Sequence, residues 1–400
     1  MGGAAIAANR LHKALLKNGI DSKMLVCEKS SDDPTVIGPY SKLSKFLPKL
    51  RNYFSQKLVS IQKSSNTIFH SLNYFSTGLH KIINSMNVDI VNLHWINAEM
   101  ISIREIAKIN KPIIWTLHDS WAFCGAEHHP AIDNDARYIE GYTNNNRNAG
   151  DSGIDINRWI WKRKKKYWSD HSFTVVCPSK WILENCKNSF LFKNKESCNI
   201  PNCISIDDFL QVDKATAREL SDLPPNKQYI LFGAVNATSH PLKGYNLLIK
   251  ALGKLEDSDN MELLVFGSSN PGDYPELEIK TRMLGFYHDD VSLKLLYNAA
   301  DVFVSPSMQE NLSNVIMESL ACGTPVVAFD IGGNGDMIDH KVNGYLAKPF
   351  DIGDLAKGIE WVLNLSSYDE LCRNARDKVI KNFDNDKVTG KYIELYNKFI

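Results

Sequence analysis

Residues Ser305–Gly333 read SPSMQENLSNVIMESLACGTPVVAFDIGG. The run Val302–Ser305 is short and apolar, as a buried strand is, and Pro306 closes it. A polar loop carrying Glu310 follows, then a helical stretch, Leu312–Ala321, carrying Glu318 eight residues on. Gly323 ends that helix and Pro325 opens the next strand, Pro325–Phe329. Strand, helix and strand in this order make a parallel unit whose ligands sit at the carboxyl ends of the strands. A helix N-terminus there offers free N–H groups and a positive dipole end to a phosphate. Carboxylates at the same edge accept from ribose or sugar hydroxyls. Spacing alone also leaves open two solvated glutamates on an ordinary βαβ unit.

The same alternation extends outward. In the first half the strand candidates are Lys23–Cys27, Asp89–Leu93, Pro112–Leu117 and Phe173–Cys177, with helices over Ala4–Asn18, Met100–Ile109 and Ser179–Cys186. In the second half Tyr229–Phe232 and Glu262–Phe266 join the two strands above, with helices over Tyr245–Leu255, Val291–Ala299 and Ile352–Leu363. Seen twice, the pattern predicts an α/β protein of two Rossmann-like domains, and 400 residues are too many for one ordinary core. The join falls near Pro201–Phe209, giving domains 1–205 and 206–386. Gly2-Gly3 runs straight into a helix, although such a turn normally follows a strand. The first strand is therefore expected to be absent or to lie upstream.

Net charge is zero, but Met1–Ser205 holds 27 Lys/Arg against 17 Asp/Glu, and Ile206–Ile400 holds 19 against 29. A basic half facing an anionic surface or substrate is one cause of such asymmetry. The eight cysteines form no CxxC pair and no zinc spacing, which fits a reducing, cytoplasmic compartment. No run approaches the ~20 apolar residues of a membrane span, and no secretory signal is evident.

Two further segments end a strand in a polar loop. Phe232–Gly244 reads FGAVNATSHPLKG, and Lys243 stands at the following helix entrance, where an ammonium can neutralise a leaving diphosphate. Trp115–Gly125 reads WTLHDSWAFCG and delivers His118 and Asp119 to a loop. His118 reads equally as a structural histidine, and Asp119 as a cap on the next turn.

Glu310-x7-Glu318, continuing through Ala-Cys-Gly-Thr-Pro-Val-Val and Gly332-Gly333 to Asn343-Gly344-Tyr345-Leu346, resembles the donor signature of family 4 glycosyltransferases of the GT-B fold. Weaker matches run in order along nearly the whole chain. The resemblance implies two Rossmann-like domains facing across a cleft, acceptor on the first and donor on the second. It implies that the last helix, 387–400, returns to the first domain. It gives Glu310 the donor sugar hydroxyls, Glu318 the ribose, and the backbone of Asn311, Leu312 and Ser313 the sugar and diphosphate. Many relatives have Gly-Phe-Gly where Asn311-Leu312-Ser313 stands, and an Arg soon after Gly233 that is missing around Ala234–Val235. Diphosphate binding then rests on Lys243 and backbone donors. By the same resemblance Gly2 and Gly3 form the turn near the donor phosphates, and His118 lies near the anomeric centre. His94, Asp119, Glu127 and His128 are acceptor-side candidates, His94 being equally a packing residue.

The implied reaction is a retaining, metal-independent transfer of a hexose-type sugar from a nucleotide-diphosphate donor. Asp133-Asn134-Asp135 and Asp384-Asn385-Asp386 fit the Asp-x-Asp metal motif of the other large glycosyltransferase fold, but neither follows an evident strand. Both read as loops, and neither a catalytic metal nor zinc is expected. Ser41–Met86 holds seven Lys/Arg and no Asp or Glu among six Phe and Tyr, and Arg158–Trp168 reads RWIWKRKKKYW. Basic residues beside aromatics suit an anionic bilayer surface, and no nucleic-acid module is present. The expected acceptor is a saccharide, lipid-linked at the inner face of the cytoplasmic membrane, in O-antigen, capsule or exopolysaccharide assembly. An epimerase of the same fold and a non-catalytic sugar-nucleotide-binding partner are the alternatives. A dehydrogenase is disfavoured, since no GxGxxG follows a strand.

Overall fold

A computed structural model of the chain describes residues 2–39, 42–64, 66, 68–130, 137–234, 236, 238, 240–256, 258–269, 279–287 and 289–400. Contacts divide it into two compact units, Met1–Leu11 with Pro201–Thr389, and His12–Ile200 with Gly390–Ile400. The sequence put the join at 205/206 and kept residues 1–11 in the front half. The difference arises because the helix Gly3–Lys17 begins in one unit and ends in the other, as does Asn385–Tyr396.

The unit built on Pro201–Thr389 holds a six-stranded parallel sheet in the order Lys280–Met283, Met261–Phe266, Gln228–Gly233, Val302–Ser305, Val326–Phe329, Gly344–Ala347. Counted along the chain this is 3-2-1-4-5-6, so strand order reverses between Gln228–Gly233 and Val302–Ser305. Helices cover both faces, which is why the inner strands are mostly apolar and Met261–Phe266, Val302–Ser305 and Val326–Phe329 are buried throughout. Tyr229, Leu231 and Phe303 pack on one side, and Ile230, Phe232, Val302 and Val304 on the other. The helix Ile352–Leu363 is capped by Asp351 and buries Leu355, Ile359 and Val362 on one stripe. Full burial of each such side chain stabilises the unit by about 1.5–3 kcal/mol.

The second unit holds a four-stranded parallel sheet, Val91–His94, Ile113–Thr116, Thr174–Cys177 and Glu196–Asn199 in that order. Met24–Leu25 pairs with Val36–Ile37 as a separate parallel pair, and among the described residues no strand joins the two. The core gathers Trp115, Trp121, Trp168, Phe173 and Phe192, with Trp115 meeting Trp168 and Phe173 edge-on.

Several expectations change. The helix expected over Met100–Ile109 shrinks to Ile103–Ile106, because Ser102 and Glu105 form a capping box there, and Ala98 and Glu99 take left-handed backbone just before it. A helix that the sequence did not announce, Lys214–Leu220, is capped by Asp213 and follows the join. Ser41–Met86 contains the helix Lys42–Val59, with Pro48 inside it. Asp384 is not in a free loop: it bridges to Ile204, and Asn385 starts the last helix. The 133–135 triplet lies outside the described residues.

Candidate functional site

The reversal of strand order marks where an open α/β sheet binds ligands. The loops following the two strands that flank it carry Lys243 and Glu310. Gln228–Gly233 leads to a short 3-10 turn, Pro241–Lys243, ended by Gly244 at φ 68°. A Cβ on Gly244 would stand 1.9 Å from the Pro306 carbonyl oxygen, so only glycine lets this turn press against the loop after Ser305. Met308 N–H donates to the Leu242 carbonyl at 2.8 Å across the same contact. The third loop closes from the far side. Gly332, at φ 52°, would place a Cβ 1.8 Å from the Glu310 carbonyl oxygen, and Gly333 N–H donates to that oxygen at 3.3 Å.

Held this way, Lys243 Nζ donates to Glu310 Oε2 at 2.9 Å, both side chains keeping part of their surface open to solvent. Asn311, Leu312 and Ser313 are buried, and the helix begins at Asn314, two residues later than expected. Glu318 is buried one turn further on. Its Oε1 accepts from Arg10 at 2.7 Å and its Oε2 from the Tyr297 hydroxyl at 2.9 Å. Burial works against the Arg10 charge, but the Glu318 carboxylate outweighs it and holds the guanidinium more firmly protonated. Burial and the same carboxylate push the Tyr297 hydroxyl well up. Gly3 joins this region through its carbonyl, which accepts from Asn314 Nδ2 at 2.9 Å, whereas Gly2 has open space around it. Gly233 answers to packing: a Cβ there would stand 2.1 Å from the Phe266 ring.

The other unit gathers the remaining candidates at the ends of Val91–His94 and Ile113–Thr116. His94 Nδ1 and His118 Nε2 share a hydrogen bond of 2.9 Å. Burial takes His118 down to about 4, although Asp119 pulls the other way, and burial beside His118 takes His94 well down. Both rings are therefore neutral at pH 7. Asp119 Oδ2 accepts from Trp95 Nε1 at 3.0 Å and His128 Nδ1 at 2.6 Å, and Oδ1 caps the Trp121 N–H at 2.9 Å. Burial opposes its charge, yet His128 and these donors hold Asp119 down at about 2. His128 Nε2 meets the Ser71 hydroxyl at 2.8 Å. Glu127 is wholly buried and bonded to the Tyr142 hydroxyl and the Gly125 N–H, so it supports the loop from within instead of lining a surface.

Sequence reading missed Arg10, Tyr297 and Lys164, whereas Trp95 reads with His94 as a polar strand end or a packing residue. Lys164 has no exposed surface; its ammonium donates to the carbonyls of Trp121, Cys124 and Gly125 and lies 3.7 Å from the centre of the Trp121 ring. Burial lowers it to about 7. Its only signal is its place in RWIWKRKKKYW, a stretch that forms the helix Ile156–Trp168 and turns Ile160, Trp161, Lys164 and Trp168 inward. Among the described residues no three His, Cys, Asp or Glu side chains converge as metal ligands would.

Residues 214–382 match the glycosyl transferases group 1, and residues 1–208 match Glycosyltransferase Family 4. An uncharacterised glycosyltransferase of Methanocaldococcus jannaschii is 34% identical over 162 residues, 38% of this chain and 41% of that protein. The D-inositol 3-phosphate glycosyltransferase 2 of Catenulispora acidiphila is 32% identical over 178 residues, 40% of this chain and 41% of that protein. The chain thus spans about two fifths of the length of these curated relatives. Among solved structures, sucrose-phosphate synthase of Thermosynechococcus elongatus superposes with a TM-score of 0.67 at 18% identity, covering 100% of this chain and 94% of that one. The Anabaena protein HepE in complex with UDP-glucose superposes with a TM-score of 0.64 at 17% identity, covering 100% and 96%. With parallel sheets in two α/β units and family matches that together span most of its length, the chain belongs to the group 1, family 4 glycosyltransferases and has the GT-B fold.

Proposed function

We propose that the protein moves a hexose from a nucleotide-diphosphate donor to a saccharide acceptor, retaining anomeric configuration and using no metal. The observation that carries this is the Lys243–Glu310 pair at 2.9 Å, held on the two loops that flank the reversal of strand order. A diphosphate arriving there meets the Lys243 ammonium, which Glu310 releases to bind sugar hydroxyls. Lys243 and the N–H groups at Ser313–Asn314 stabilise the leaving charge where a metal otherwise would. The departing phosphate takes the acceptor's proton, so no protein base is needed. Glu318 accepts from the ribose in exchange for a partner it now holds. Neutral His118 donates or accepts near the anomeric carbon without adding charge. The UDP-glucose complex of HepE supports a hexose donor.

The acceptor we propose is lipid-linked, in surface-polysaccharide assembly at the inner face of the cytoplasmic membrane. No described helix is long and apolar enough to cross a membrane. The helix Lys42–Val59 nevertheless exposes Phe46, Leu47, Leu50, Tyr53, Phe54 and Leu58 at helical spacing, with Lys49, Arg51 and Lys57 among them. An apolar stripe with basic flanks suits the surface of an anionic bilayer.

Labelled nucleotide sugars incubated with a lipid-linked saccharide test the transfer: acceptor-dependent release of nucleotide and labelled product is expected. Isomerised donor without acceptor, or binding with no turnover, contradicts it. Flotation with anionic vesicles tests the surface, and Phe46→Ser/Phe54→Ser should cut vesicle binding about tenfold without lowering Tm. Equal flotation of variant and parent removes the membrane reading.

A further inference from the structure

A cavity of about 290 Å³ opens where the helix Lys42–Val59 ends, lined by Gln56, Gln62, Ser64, Asn66, Phe69 and His70. Its chemistry differs from that of both sites above: among the described residues the lining, which also includes Ser60, carries amides, hydroxyls, an imidazole and a phenyl ring but no Lys, Arg, Asp or Glu. Much of its hydrogen-bonding capacity already has a direction. Gln62 Oε1 accepts from the Ile156 and Asn157 N–H groups at 2.7 and 3.1 Å, so its amide nitrogen is the remaining donor. Gln56 Nε2 donates to the His70 carbonyl at 3.1 Å, leaving its oxygen as an acceptor. His70 Nδ1 lies 2.6 Å from the Ile68 carbonyl and must carry the ring proton there. Its Nε2 is then a bare acceptor in the neutral ring, buried and without a partner among the described residues, in a side chain only 5% exposed. A buried polar atom left unpaired costs about 1–3 kcal/mol. A ligand that donates to it recovers that cost.

We propose that this cavity is a subsite for one neutral sugar ring of the saccharide acceptor, a refinement that rests on the transfer reading above. Gln62, Gln56 and His70 thus leave one donor and two acceptors, which matches the mixed donor and acceptor character of sugar hydroxyls. Phe69, 43% exposed, supplies an apolar ring for the C–H face of a pyranose. A charged ligand finds no counter-ion among the described lining residues, and the volume stands at the small end for ligand pockets. Phe69 also connects the cavity to the histidine cluster. Its ring stacks on Trp95 at 6.5 Å and meets His128 at 5.2 Å, and Trp95 and His128 both donate to Asp119. Phe69 therefore borders both the cavity and the cluster of Trp95, Asp119 and His128. Trp95 holds its place at φ 27°, a left-handed backbone that needs surrounding support.

Saturation-transfer NMR on the full chain, with the methyl glycosides of glucose, galactose, mannose, N-acetylglucosamine and rhamnose at millimolar concentration, reads the subsite without any turnover. At least one glycoside should receive saturation. The signal should fall about tenfold in Ser60→Tyr, which fills the mouth from an exposed position, and in Phe69→Ala. It should persist in Glu310→Ala, which disables the donor unit. Circular dichroism melts on each variant separate lost binding from lost folding. The idea is overturned if none of the five glycosides is saturated, or if both folded variants bind as the parent does, in which case the cavity holds water. Glycoside binding with this pattern in a protein that transfers no sugar keeps the subsite and overturns the transfer reading instead.

Discussion

The two units end their strands in opposite electrostatic states. In the unit built on Pro201–Thr389 each carboxylate of the signature faces a cation, Glu310 with Lys243 and Glu318 with Arg10. In the other unit two neutral histidines share one hydrogen bond, and the carboxylate of Asp119 is held by an indole, an imidazole and a backbone N–H. The first arrangement suits a ligand that brings its own negative charge, because an anion can enter by exchanging partners with a cation already in place. The second suits a neutral, hydroxyl-bearing ligand, because its two histidines are neutral and the charge of Asp119 already has its donors in place. The contrast supports the proposal that the donor binds one unit and the acceptor the other.

The sharpest way to break that contrast is to remove the cation. Lys243→Ala should lower kcat about 10²–10³-fold, the scale for losing one preorganised stabiliser of a leaving charge. Lys243→Arg should restore most of it if charge alone matters. A loss confined to the acceptor KM would place Lys243 on the wrong side of the comparison.

Lys164→Met should come next, as a stability effect. It leaves three buried carbonyls without their donor and should cost about 2–4 kcal/mol in chemical denaturation. Lys164 sits at about 7 when folded, against 10.5 ordinarily, so between these values the unfolded chain binds more protons and this group makes stability rise with pH. The variant should lose that slope. An unchanged midpoint and slope would mean that the Trp121–Gly125 loop does not depend on this ammonium.

The smallest effect tests the neutrality of the histidines. His118 titrates near 4 when folded and near 6.5 when unfolded, so the unfolded state takes up its proton first as pH falls. Its contribution to stability is complete above 6.5 and is lost as pH drops toward 4. His118→Gln should flatten that part of a melting-temperature profile by a few degrees at most. A profile identical to the parent's would show that His118 is not held neutral.

Much of this was readable from residues alone, and the failures have a physical pattern. Val302–Ser305, Val326–Phe329 and Thr174–Cys177 are covered on both faces, so every position is buried, nearly all are apolar, and the strands announce themselves. Glu196–Asn199, Lys280–Met283 and Gly344–Ala347 went unread, and all three are edge strands, where polar residues and glycine are tolerated. The helix Lys42–Val59 hid behind Pro48 and an apolar stripe that faces out. Glu310 and Lys243 were legible because a strand end followed by a loop fixes where they sit. Arg10 was not: its partner Glu318 lies 308 residues away, and nothing in local spacing marks such a pair. Glu127 misled because a glutamate beside two histidines looks solvent-facing, whereas Tyr142 and the Gly125 N–H satisfy it from inside.

The central claim is that the unit carrying Glu310 binds the sugar nucleotide and powers the transfer. The most direct measurement is the initial rate of labelled sugar transfer to a lipid-linked saccharide by the parent chain and by Glu310→Ala, under saturating donor and acceptor. The account predicts acceptor-dependent product from the parent and a rate about 10²–10³-fold lower from the variant, with the melting temperature unchanged within a few degrees. Equal rates from the two proteins would contradict it.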